Sequence, residues 1–258
     1  MSNPVLDRRF GGNQAATAGV DAMAGQLPPV TSPVVADTMS VAGVSRATGI
    51  MLLVLLAGGF VGWNQVSATD PPTLPSFLLA AVLVGIGLAI LGVVKPELAR
   101  FVGPLYAAVE GFVLGAISRV FEFAFAGIVL QAVLATLATM VVMLVLYATR
   151  TIRVTEKMRS IVIGATLGVA LFYLVAMVMS MFGSTMPGVW DSGPVGILFS
   201  LAIVGLAAFN LLLDFELIER GVASRAPATY DWFAALGLMI TLVWLYLEIL
   251  RLLSKLRD

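Results

Sequence analysis

FAFAGIVLQAVLATLATMVVMLVLYAT, residues 123–149, lies between Glu122 and Arg150 and contains no charged side chain. A helix rises 1.5 Å per residue, so about 20 residues cross the roughly 30 Å of hydrocarbon in a bilayer. The stretch is long enough and shows none of the alternation that marks a barrel strand, so it reads as a membrane-spanning helix. Working outward, charges are also missing between Arg46 and Asp70, between Asp70 and Lys95, and between Arg159 and Asp191. Three more apolar stretches are interrupted by acids: 102–121 by Glu110, 195–218 by Asp214 and 230–253 by Glu248. The sequence therefore predicts an all-α integral membrane protein with seven spans, at 48–66, 74–94, 102–121, 124–148, 160–182, 195–218 and 230–253.

Composition agrees. Of 258 residues, 60% are hydrophobic and only 12% charged, where soluble domains carry about 25% charged residues. The formal net charge is zero, which removes the basic face that nucleic-acid binding needs. Cysteine and histidine are both absent from the sequence. Disulfides, thiol nucleophiles, histidine-dependent triads and the usual zinc and haem ligand sets are thereby excluded. Ser118 and Ser180 have no plausible base, so an enzyme is not expected. The expected partner is the lipid bilayer itself.

Residues 1–46 differ from the rest, being rich in Gly, Ala, Pro, Ser and Thr, and read as a flexible cytoplasmic tail. Within it, Thr38 or Ser40 is placed to cap a short helix leading to Arg46. Eleven Lys and Arg residues fall in the tail and the loops on its side of the membrane; Arg119, Arg251, Lys255 and Arg257 fall on the other. The asymmetry places the amino terminus in the cytoplasm and, after seven spans, the carboxyl terminus outside the cell membrane. The basic C-terminus runs against that rule.

Acids within spans are costly, by about 2.5–3.5 kcal/mol for Asp at mid-bilayer on insertion scales, and mark functional positions. Counted from the inner ends of their spans, Asp214 lies about 9 Å deep, Glu110 about 14 Å, Asn210 about 15 Å, Thr241 about 20 Å and Glu248 about 30 Å. Glu110, Asn210 and Asp214 thus share an inner level, with Thr241 just beyond. Two carboxylates held close in low dielectric cannot both ionise cheaply, so Glu110 with Asp214 forms a proton-sensitive site or, ionised, an oxygen-rich site for Ca²⁺. The alternative is that Glu110 stays protonated on a neighbouring carbonyl while Asp214 reaches the interface. Farther out, Arg119, Glu122, Glu248 and Arg251 are charge-balanced and read as a salt-bridge lock between helix ends. Gly111 and Gly115, four apart, read as a helix-packing surface. Trp63, Trp190, Trp232 and Tyr230 read as interfacial anchors.

The strings Asn210-Leu-Leu-Leu-Asp214-Phe-Glu-Leu-Ile218, Ala234-Ala-Leu236 and Trp244-Leu-Tyr-Leu-Glu-Ile-Leu-Arg-Leu-Leu253 resemble the last two helices of the Bax inhibitor-1/YccA family. Glu110-Gly-Phe-Val-Leu-Gly115 is similar to its bacterial branch with long amino-terminal tails. The resemblance spans about 48–256 and implies a seven-helix bundle with a central last helix, acting as a pH-sensitive calcium leak of the inner membrane. It also implies a proton-sharing pair of aspartates, one on each of the last two helices, with Asp214 as the first. Matching Leu245-Tyr-Leu-Glu248 puts Glu248 in the second position; matching Ala234-Ala-Leu236 without gaps puts Thr241 there, and the depths favour Thr241. On the latter register Glu110 is the candidate partner of Asp214. Some relatives imply a second role, as regulators bound to a membrane protease or another membrane complex. No cofactor is expected beyond Ca²⁺ as a transported ion.

Overall fold

The computed structural model describes residues 37–67, 72–183 and 191–258, with the side chains of Ser180 and Met181 excepted. Most of the expected tail, Asp70 and Trp190 lie outside the described residues, as does the Ser180 side chain. The described chain folds into long helices: α1 (Val41–Gln65), α2 (Leu78–Val94), α3 (Ala99–Ala124), α4 (Ile128–Ala148), α5 (Glu156–Met181), α6 (Pro194–Ala223) and α7 (Thr229–Arg257). Six of them are long and apolar enough to cross a membrane. The seventh expected span is α2, whose 17 residues reach only about 25 Å. Pro75 explains its late start: the backbone turns there, with Leu78 N–H on the Pro75 carbonyl, and helix begins only beyond it.

α1 begins at Val41, ahead of the expected 48, because the chain before it is held. The Ser40 hydroxyl caps the Gly43 N–H at 2.9 Å, while the Ser40 N–H donates to Asp231 Oδ1 at 3.0 Å. Met39 N–H meets the Ala226 carbonyl and Ala228 N–H meets that of Asp37. The start of α1 is thus fastened to the α6–α7 turn, and residues 41–46 belong to the helix rather than to a tail.

α7 is the central element. Buried residues make up 61% of its apolar window, against 11% for α5, and it packs on α1, α2, α3, α4 and α6. One core cluster gathers Met51, Tyr106, Leu236 and Met239; the other gathers Leu114, Ile128, Leu211, Leu245 and Leu250. α1 and α3 meet along a seam of glycines. A methyl added at Gly58, Gly62, Gly111 or Gly115 would fall within 3.0 Å of the facing helix's backbone. The Gly111–Gly115 spacing is therefore a packing surface that brings two backbones together, as small residues do in membrane helices.

Candidate functional site

Asp214 sits on α6 where the facing α7 carries Gly237. The carboxylate lies against α7 at Gly237: a Cβ there would stand 3.6 Å from Asp214 Oδ1, in ordinary contact. One turn on, the Thr241 hydroxyl meets the same carboxylate and also donates to the Gly237 carbonyl at 3.2 Å. A hydroxyl has one proton, so two acceptors compete for it. Asp214 Oδ2 is buried and has no hydrogen-bond partner. The Thr48 hydroxyl on α1 is likewise buried and unpaired. Among the described residues these are the two buried side-chain oxygens left unsatisfied, and such groups are rare because each forfeits its hydration.

The structure does not join Glu110 to Asp214. Glu110 turns toward α2, where its Oε2 lies 2.7 Å from the place a Cβ would occupy at Gly85. Among the described residues no hydrogen bond links the two acids, and α3 and α6 each pack on α7 rather than substantially on one another. Glu110 and Asp214 face different neighbours: Glu110 precedes Gly111, whose face is pressed on α1. Asn210, one turn from Asp214, donates to Thr166 Oγ1 on α5 at 2.8 Å and to the Leu206 carbonyl at 2.9 Å. Through its amide N–H groups it links α6 to α5. Among the described residues no group of three acidic side chains is arranged to hold a metal ion.

Glu248 is remote from this point and differently supported. It is 2% exposed, receives the Tyr173 hydroxyl at 2.8 Å and pairs with Arg251 at 3.0 Å. Arg251 also donates to the Tyr173 oxygen at 2.6 Å. The four-residue lock expected at this end is only half present. Glu122 instead caps α4, accepting the N–H groups of Gly127 and Val129. Arg119 makes no ion pair among the described residues; its guanidinium lies 4.9 Å from the Trp63 ring centre and 4.6 Å from that of Phe123.

The basic C-terminus is absorbed by the bundle. Lys255, 7% exposed, donates to the Gly196 carbonyl and Ser200 hydroxyl. Arg257 binds the Ala126 carbonyl and Gln131. Those charges close helix ends and are poor indicators of topology. Sequence reading missed the opposite end, where Glu216, 8% exposed, pairs with Arg159 at 2.8 Å and with Arg220. Glu156 reaches the same two arginines, and Glu219 binds Arg150 and Tyr147. The i,i+4 spacing of Glu216 and Arg220 was the available signal.

Together these features define a polytopic helical membrane protein with a buried, under-satisfied carboxylate between its last two helices. The chain belongs to the Bax inhibitor 1 like family, whose model matches residues 3–258. The match takes in the amino-terminal segment that the resemblance in the motifs had left out. No curated protein and no solved structure matches the chain.

Proposed function

We propose that this protein is a passive, pH-sensitive pathway for a cation across the cell membrane, with Ca²⁺ as the candidate ion and the Asp214–Thr241 contact as its control point. The observation that carries the reading is the buried, unpartnered Oδ2 of Asp214. A carboxylate in apolar surroundings is accommodated by a proton or by a cation, and exchange between them couples ion passage to pH. Protonation removes the ligand and changes how α6 rests on α7; deprotonation restores it. Glu110 acts separately, at the α2 face. The end of the bundle bearing Asp37 and the α6–α7 turn faces the cytoplasm on this reading, because the Lys and Arg not consumed by helix ends gather there. No catalytic step is assigned.

The test is Ca²⁺ flux into liposomes holding the purified chain, measured across pH. Asp214→Asn is expected to abolish the pH dependence, and Glu110→Gln to retain it. Unchanged pH-dependent flux in Asp214→Asn would remove Asp214 from the mechanism. A second reading, a regulator that binds a membrane protease or another membrane complex without transporting anything, is favoured by the separation of Glu110 from Asp214. It predicts no flux from the intact chain. Deleting residues 1–36, which spares the Ser40 cap, should then abolish partner binding, whereas a leak should survive that deletion.

A further inference from the structure

A groove of about 490 Å³ runs between α1 and α4, with α3 and α7 as its floor. Its size falls within the range of roughly 300–1,000 Å³ that holds small ligands. On α1 its lining runs from Leu52 to Asn64, about 18 Å along the helix axis, a little over half the roughly 30 Å hydrocarbon thickness. The groove therefore has the depth of one leaflet. Gly59, Gly111 and Gly115 lie in its lining, where the close approach of α1 and α3 that they permit closes the groove on that side.

The polar side chains in its wall are already used. Ser118 and Tyr246 hydroxyls bond each other at 2.6 Å. Thr136 donates to the Ala132 carbonyl and Asn64 to that of Phe60. What these groups leave to a guest is hydrocarbon surface. At the mouth the chemistry changes. Trp63 lines the groove, and over its ring lies the Arg119 guanidinium, which pairs with no carboxylate among the described residues. The nearby Glu122 is occupied capping α4. A planar guanidinium held against rings near the end of a spanning helix is suited to a phosphate, which it can grip with two N–H groups.

We infer that the α1–α4 groove is a binding site for a single phosphate-bearing membrane lipid, with one acyl chain along the groove and the phosphate on Arg119. The lipid belongs to the leaflet at the α3–α4 turn. Its chain fills the space between α1 and α4, and its headgroup supplies an anion that no described carboxylate gives to Arg119.

The full chain, stripped of lipid in detergent, can be titrated with dioleoylphosphatidylglycerol and examined by native mass spectrometry. One tightly held lipid per chain is expected. Arg119→Gln should weaken it roughly tenfold, the loss of one charge-assisted double contact. Val133→Trp, at a lipid-facing groove position, should remove it with Arg119 intact. Dioleoylglycerol, which lacks phosphate, should bind about as weakly to the wild type as phosphatidylglycerol binds to Arg119→Gln. Lys157→Gln, in the wall of a separate groove between α5 and α6, should change nothing. A phosphatidylglycerol analogue carrying a photoreactive acyl chain tests the wild type without any variant, and its crosslinks should fall on α1 and α4. Equal binding of both lipids, competition by inorganic phosphate alone, crosslinks confined to α5 and α6, or a Val133→Cys disulfide between two chains would each overturn the assignment.

Discussion

Glu248 and Asp214 are both acids within membrane-length helices, and the bundle treats them in opposite ways. Glu248 has a guanidinium on its own helix and a phenol from α5, so its charge and both oxygens are provided for. Asp214 has a shared threonine proton on one side and nothing on the other. Complete satisfaction makes a fastener between α5 and α7. Incomplete satisfaction at a buried oxygen leaves a group whose protonation or ion binding would change the packing around it. Burial of an acid alone does not separate a structural from a functional role; the inventory of its partners does.

The largest expected effect comes from taking Arg251 away. Arg251→Leu strands a buried Glu248 and should lower unfolding free energy in mixed micelles by about 3–5 kcal/mol. Replacing both partners, Glu248→Met with Arg251→Leu, should recover most of that loss, since no uncompensated charge remains. Tyr173→Phe removes one hydroxyl from the cluster and is expected to lose about 1.5–3 kcal/mol, the range for hydrogen bonds to charged groups. Asp214→Asn should shift stability least, by no more than about 0.5 kcal/mol downward, because the carboxylate it replaces is poorly supported already. If Asp214→Asn were instead as damaging as Arg251→Leu in the same unfolding titration, the contrast between the two acids would collapse.

Much of the architecture was legible because hydrophobic length is a one-dimensional property: charge-free runs announced the helices, and the ungapped register placed Thr241 across from Asp214. Depth follows from the same counting. Rotation about a helix axis does not. Counting along the spans puts Glu110 near the level of Asp214, yet one residue corresponds to about 100° of turn, and with the glycine face at Gly111 on α1, Glu110 turns to α2. The same blindness to azimuth produced the four-charge outer lock, of which only Glu248–Arg251 forms. Glu122 was taken for an ion-pair partner although Gly127, in a left-handed conformation with φ 78°, sets up an α4 N-terminus that needs an acceptor. Interruption by Pro75 shortened α2, a local steric effect that hydropathy does not register.

The glycine seam has a mechanical implication. Where α1 and α3 touch, main chain bears on main chain, with no flexible side chains between them to take up a tilt or a slide. The two helices are thus coupled as one rigid strut, also joined to the α6–α7 turn through Ser40 and Asp231. Any change of shape is then taken up outside the strut, with the short α2 as the first place to look. Spectroscopic labels meant to register movement belong on α2, with the strut as their fixed reference.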